Sequence, residues 1–221
     1  MKRYEFEVKE FDLQLFFPEH RLKHKTHLIN ILLEACRFML VQKPSENVES
    51  ENKIVLNIDK MSRIFFFRKN KYYTIFFPFN VLEEEENDIS FNYKNILNID
   101  SESISALITI IKDDQFNSSS CLDFADPIDS LENQLDSNFW IVLRDLIFAE
   151  EGYLRYDVDL EGWKKAKEKE KEHTHPEHHF DIFYTNTTSV KFGLVQKLLE
   201  NEFIESVNIQ SDCLYLRRFQ E

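Results

Sequence analysis

Three glycines in 221 residues, Gly152, Gly162 and Gly193, set the first limit on what this chain folds into. Phosphate-cradling loops and dinucleotide-binding turns need clustered glycines, so that backbone N–H groups reach a phosphate closely. These three stand apart, and neither motif is present. The chain is instead rich in aromatic side chains, with 21 phenylalanines, and 43% of its residues are apolar. That is enough to build a core. The length suits one domain. We read residues 1–221 as a single α+β domain, with a possible division into an aromatic-rich strand and helix part over 1–120 and a helix plus histidine-bearing sheet over 121–221.

The formal charge is −13. A stable, broad DNA-binding surface wants the opposite sign, although a local basic patch remains compatible with the composition. The imbalance is concentrated in residues 45–150, which carry 20 acidic and 9 basic groups. The run Glu83 to Glu86 within them reads as a solvated loop. Cys36, Cys121 and Cys213 are odd in number and far apart, with neither a disulfide framework nor a zinc knuckle. Such usage fits a reducing cytoplasm. Met1 to Val8 is charged and lacks the apolar segment of a secretory signal. No run approaches the length of a membrane span.

The periodicity predicts a small mixed or antiparallel sheet with three to four helices. Residues 4–17 read as one or two strands ended by Pro18. Leu22 to Val41 reads as a helix with a stripe from Leu28 to Met39. Lys53 to Ile58, Arg63 to Arg68 and Tyr72 to Phe77 read as strands, the last two joined by a hairpin turn at Lys69, Asn70 and Lys71. Residues 80–100 read as an acidic, Asn-rich connection. Ser101 to Lys112 reads as a helix with Ser101 as its N-cap. Asp126-Pro127 opens another that runs to about Glu150. A strand over Tyr153 to Asp159 follows, then a charged linker from Glu161 to Glu172. Strands over His179 to Thr185 and Ser189 to Leu194 flank a turn at Asn186-Thr187. A helix around Leu194 to Glu205 and a strand from Cys213 to Phe219 close the chain. The mixed order of strands and helices argues α+β.

Four of the seven histidines, His173, His175, His178 and His179, crowd between the first two of these C-terminal strands. Strand alternation places Tyr153, Arg155, Asp157 and Asp159 on one face, and His179 and Asp181 on one face of the next strand. If the strands pair with their apolar faces coincident, Arg155, Asp157, His179 and Asp181 gather on one side. Pro176 leaves the preceding residue extended and is able to turn His175 toward them, and Lys191 can face the same way. Two chemistries suit this set. The first is cofactor-free cleavage of an RNA phosphodiester. His175 and His179 would serve as acid and base, Arg155 and Lys191 would meet the developing charge, Asp157 would orient an imidazole, and Tyr153 would contact substrate. The second is a divalent metal on His175, His179 and Asp181 that activates water. The same residues also suit a purely structural role as cross-strand ion pairs.

Other features are weaker. His20, His24 and His27 have helical spacing suited to a metal or phosphate, or to a solvated helix end. Trp163 reads as a partner anchor or as a side chain folded on its own hairpin. Lys164 to Lys171 reads as a solvated helical or disordered arm.

The strings Tyr153-Leu-Arg-Tyr-Asp-Val-Asp159, His175-Pro-Glu-His-His-Phe-Asp181 and Phe192-Gly-Leu resemble the bacterial proteins grouped as domain of unknown function 2290. That family pairs an Arg-x-Asp strand with a His-Pro-x-x-His stretch, a short strand with a basic residue and a C-terminal helix. The resemblance covers residues 150–205. It matches Arg155, Asp157, His175, Pro176 and His179 (or His178) to the family's pattern, with Lys191 near its basic position. It implies a bacterial defence or mobile-element setting, with another protein of the same gene set as partner. In that setting the chain would be a histidine-bearing toxin or effector cleaving RNA, or a non-catalytic interaction subunit of a defence complex. For the second role, the Phe-rich strands Ile64 to Phe67 and Ile75 to Phe79 would leave aromatic side chains exposed for a partner.

Overall fold

A run such as Ile64-Phe65-Phe66-Phe67 puts apolar groups on both faces of a strand, so the sheet that holds it needs cover on both sides. The computed structural model supplies it. It describes residues 2–19, 22, 24–45, 48–58, 61–84, 88–116, 118, 126–128, 138–150, 152–182 and 190–212. The strands are β1 (Lys2–Glu7), β2 (Lys53–Ile58), β3 (Arg63–Arg68), β4 (Lys71–Phe76), β5 (Asn80–Glu83), β6 (Ile89–Tyr93), β7 (Leu97–Asn98), β8 (Leu154–Val158), β9 (His178–Asp181) and β10 (Lys191–Leu194). The helices used below are α1 (Leu13–Phe16), α2 (Lys25–Val41), α3 (Ser101–Lys112), α4 (Phe139–Phe148), α5 (Leu160–Lys167) and α6 (Glu200–Glu205). The fold is α+β. A seven-stranded antiparallel sheet runs in the order β1-β2-β3-β4-β8-β9-β10, and β5, β6 and β7 form a second, three-stranded sheet.

Each face of the large sheet has its own core. Phe6, Ile54, Leu56, Ile64, Phe66, Tyr73 and Ile75 pack in one cluster with the buried sides of α1, α2, α3 and α4 and with Phe91 of the small sheet. Val55, Phe65, Phe67, Tyr72, Tyr156 and Phe180 point the other way and pack with Leu198, Phe203 and Ile204. Lys53 Nζ, nearly buried, pairs with Glu200 Oε2 at 2.8 Å and ties α6 to β2. Two covers account for the aromatic content. Phe65, Phe66, Phe67 and Phe77 are fully buried, and Phe76 alone of the Phe-rich runs is exposed. The exposed Phe patch expected for an interaction subunit is therefore absent from these strands.

The predicted strands over 53–58 and 63–68 have those bounds, and β3 and β4 form the predicted hairpin. Three expectations are corrected. The strand reading of residues 4–17 holds only to Glu7. Beyond it, Leu13 and Phe16 are buried at helical spacing while Phe11 and Leu15 are exposed. The connection over 80–100 contains the small sheet. Its asparagines bond across strands and into a turn: Asn92 Oδ1 accepts from Asn80 Nδ2 at 3.1 Å and from the Asn95 N–H at 3.2 Å. The β6–β7 turn has φ of 49° at Lys94 and 59° at Asn95, a conformation for which glycine is the common choice. The last helix is shorter than predicted, starting at Glu200.

The N-cap of α3 is Asp100, one residue before the predicted Ser101, and its Oδ1 accepts from the Ser103 N–H at 2.8 Å. Asp100→Ala is expected to lower stability by about 1 kcal/mol, and Ser101→Ala by no more than about 0.5 kcal/mol. Urea denaturation of the two variants checks the assignment, and equal losses would return the cap to Ser101. Residues 126–128 and 139–148 are helical and residues 129–137 lie outside the described residues; Asn138, read as the interior of one helix over 126–150, is a turn residue and the N-cap of α4, which ends at Phe148. So do the turn at Asn186-Thr187 and the strand from Cys213 to Phe219. No helix among the described residues is long and apolar enough to cross a membrane.

Candidate functional site

Strand register assembles the site. On the face that elsewhere holds Leu56, Ile64 and Phe66, the last three strands present ionic groups. Lys71, Asp157, His179 and Gly193 stand in one row across β4, β8, β9 and β10, and Tyr73, Arg155, Asp181 and Lys191 stand in the next. Directly opposed residues share a face. The register therefore brings together Arg155, Asp157, His179, Asp181 and Lys191, as the alternation predicted. His178 takes the other face, its Nδ1 3.1 Å from the Tyr156 hydroxyl.

Arg155 is clamped between two carboxylates. Its Nε lies 2.7 Å from Asp157 Oδ2, and its Nη2 donates to Asp181 Oδ2. Burial acts against the guanidinium charge, but Tyr153, Asp157 and Asp181 outweigh it and hold the pKa above its usual value. Burial pushes the Tyr153 phenol up to about 12, so it stays protonated. Lys191 Nζ stands 3.8 Å from Asp181 Oδ1. His179 lies beneath them, its side chain 3% exposed. Its Nδ1 donates to the Pro176 carbonyl at 3.0 Å. Burial holds its pKa below the usual histidine value, so the ring is neutral. Its Nε2 faces Asp157 Oδ2 and Asp181 Oδ2, each 3.9 Å away.

His175 joins from above. Its backbone, φ −146° and ψ 78°, lies outside the helical region that a following proline disfavours. The ring lies 5.2 Å from that of His179, centroid to centroid. Its Nε2 is 2.8 Å from Asp159 Oδ2, and the side chain is 29% exposed. Asp159 serves twice. As N-cap of α5 it accepts the Gly162 N–H on Oδ1 at 2.8 Å, and Oδ2 holds His175. Burial raises its pKa, but the Gly162 N–H and His175 prevail and the net shift is downward. The expected orienting carboxylate was Asp157. Asp157 is too far from His179 for a hydrogen bond, and Asp159 orients His175 instead.

Two glycines make room for this arrangement. A Cβ at Gly193, beside His179 in its row, would sit 2.7 Å from Pro176 Cγ, and one at Gly162 would sit 2.4 Å from His175 Nε2 and 2.5 Å from Asp159 Oδ2. Gly162→Ala should add up to about 1 kcal/mol of helix propensity to α5 while forcing the His175–Asp159 pair apart. The expected result is a variant as stable as the parent or more so, with the His175 ring resonances in the NMR spectrum displaced from the parent's. Unchanged His175 resonances would show that the pair accommodates the methyl group.

The charged face lies between two surface clefts. One, of about 400 Å³, is lined by Arg155, Asp181, Lys191, Tyr153, Tyr73 and Lys71 with the Phe16–Pro18 segment. The other, of about 600 Å³, is lined by Lys71, Lys69, Arg68, Asp157 and Asp159. Lys71 borders both. The two clefts are lined by Arg68, Lys69, Lys71, Arg155 and Lys191 and by the carboxylates of Glu10, Glu19, Glu51, Asp157, Asp159 and Asp181, a lining of mixed sign.

Several expectations resolve differently. The linker over 161–172 contains α5, where Lys167 Nζ stands 4.7 Å from the centre of the Trp163 ring. Among the described residues, Asp157, His179 and Asp181 stand close enough together to hold a metal ion, while His175, read from the sequence with His179 and Asp181, bonds to Asp159. The rings of His24 and His27 meet edge to face, 5.5 Å apart, and His20 lies outside the described residues. Cys36 is free and buried, its thiol pushed up by burial, and Cys121 and Cys213 lie outside the described residues. The residue missed at first is Asp159. The signal was there: it shares the strand face of Arg155 and Asp157 and precedes an apolar residue as helix caps do.

Comparison with protein-family models, with curated proteins and with solved structures finds no match.

Proposed function

We propose that the chain cleaves RNA by attack of the ribose 2′-oxygen on the adjacent phosphorus, at the charged end of the large sheet. The observation that carries this reading is the His175–Asp159 pair, a reachable imidazole oriented by a carboxylate, set beside two rows of ionic groups. A histidine held at one nitrogen by an acid is poised to exchange a proton at the other. His175 takes the 2′-hydroxyl proton, the new P–O bond forms, and the bond to the 5′-oxygen breaks. The products are a 2′,3′-cyclic phosphate and a 5′-hydroxyl whose proton comes from water. Of the two histidines, His175 is the one a substrate reaches, because His179 is covered. Lys191, Lys71 and the outer edge of Arg155 meet the phosphate charge, and Tyr153 lines the cleft beside them.

Two clefts joined at Lys71 suit a polymer that crosses the face. A chain that cuts RNA in the cell producing it arrests that cell, which is the effector role the family resemblance implies. The test is a single-stranded oligoribonucleotide and its deoxy counterpart, incubated with the purified chain. Cleavage of the first alone, with cyclic phosphate ends, is the expected outcome. Cleavage of both would remove the 2′-oxygen from the mechanism, and cleavage of neither would sink the proposal.

A further inference from the structure

The buried end of the charged face has more acceptors than donors. Asp157, His179 and Asp181 each offer a ligating atom, and these atoms lie within 4.8 Å of one another. The His179 Nδ1 proton is committed to the Pro176 carbonyl, which leaves Nε2 as a bare lone pair. That is the tautomer and the outer-shell contact that metal-bound histidines adopt. Nε2 stands 3.9 Å from an oxygen of each carboxylate. This is too long for hydrogen bonds. It is inside the roughly 4.2 Å that two ligands bound at about 2.1 Å to one ion can span. Independently, Asp157 Oδ1 and Asp181 Oδ1 are buried and accept no hydrogen bond. The Asp181 side chain is only 7% exposed. An unmatched buried carboxylate oxygen is costly. Arg155 reaches only the Oδ2 atoms, and Lys191 stands off at 3.8 Å.

We infer that Asp157, His179 and Asp181 bind one divalent first-row transition-metal ion. One imidazole and two carboxylates form a mixed nitrogen and oxygen set, suited to Zn²⁺ or Mn²⁺ ahead of Ca²⁺. The ion deepens the RNA-cleaving reading without depending on it for its test. Across the two rows Lys71, Arg155 and Lys191 exceed Asp157 and Asp181 by one positive charge. The ion adds two more, and a chain of net charge −13 then presents a local field that draws a polyanion.

The test is calorimetric titration of Zn²⁺, and separately of Mn²⁺ and Ca²⁺, into the full chain after chelator treatment. One equivalent of Zn²⁺ or Mn²⁺ is expected, weakened at least about tenfold in His179→Gln and Asp181→Asn and unchanged in His173→Ala. No binding by the parent chain at millimolar metal overturns the inference. So does binding that both site variants retain. Should the variants fail to fold, Mn²⁺ added to the parent chain must broaden the His179 ring resonances before those of His24 and His27, and the reverse order overturns the site. A chain that binds the ion and leaves RNA intact upholds this inference and rejects the cleavage reading.

Discussion

Replacing His175 by alanine lowers the rate of RNA cleavage by about a hundredfold or more, the usual share of a positioned acid–base group, and leaves the chain folded. The side chain is 29% exposed, and its polar contact, Asp159, stays solvated without it. Nothing in the sheet depends on the ring, so the loss falls on chemistry. Asp159→Asn gives a second reading of the same pair. Asparagine still caps α5, but it no longer supplies the charge that stabilises a protonated His175. Its rate falls too, by less than that of His175→Ala, and the helix stays formed. The measurement is the initial rate on a labelled oligoribonucleotide, with circular dichroism as the folding control. Equal rates for parent and His175→Ala would assign the activity to a contaminant or to another part of the chain. His179→Ala is the companion. It removes a covered residue that bonds to the Pro176 carbonyl, so its effect combines lost activity with lost stability.

Phe203→Ala is expected to cost about 3–5 kcal/mol, the range for a fully buried aromatic residue. Its ring meets Phe65, Phe67, Tyr72 and Phe180 at centroid distances of 6.2, 6.2, 5.9 and 6.1 Å. It closes the second core from a helix of six residues. So short a helix has little stability of its own, and α6 is held by this ring, Ile204 and the Lys53–Glu200 pair. The consequence reaches the site, because Phe180 lies between His179 and Asp181 on β9 and fixes the face each presents. Leu199, exposed at the start of the same helix, is the control: Leu199→Ala should change stability by no more than about 0.5 kcal/mol. Urea unfolding monitored by fluorescence measures both. Similar small losses for the two would mean that the second face of the sheet is not sealed by α6.

Period-two alternation was legible wherever neighbouring strands carried it. Runs rich in β-branched and aromatic residues placed β2, β3 and β4, and alternation anticipated the shared face of Arg155, Asp157, His179 and Asp181, because the apolar residues on the other side leave one register that buries them. It failed at 80–100, where polar Asn80 and Asn92 pair across strands and composition alone suggests a loop. It failed again at Leu13 and Phe16, where two apolar residues three apart begin a helix too short for a periodic signal. Within the site, Asp157 was expected to orient an imidazole, and the carboxylate bonded to His175 is Asp159. Asp157 and Asp159 lie on the same strand face, and only the fold of α5 over the strand end brings Asp159 to the imidazole. The role of the sparse glycines was also hidden. Composition shows that they are few, while their contacts with Pro176 and with the His175–Asp159 pair appear only in three dimensions.

Every neighbour in the large sheet is the next strand in the chain except at one seam, where β4 meets β8 across residues 77–153. The pairings of β2 through β4 close over short separations along the chain, and such contacts form early, while β1 meets β2 across residues 8–52. The seam waits for a long segment, with the small sheet, α3 and α4 inside it, to be made and to return, which carries the entropy of a long closure. During synthesis the aromatic half of the sheet therefore has its partners well before Arg155, Asp157, His179 and Asp181 have left the ribosome. The ionic rows are complete only once β8 has docked on β4 and β9 and β10 have followed. A chain built in this order holds its paired aromatic strands before it has the face on which the chemistry is proposed to occur.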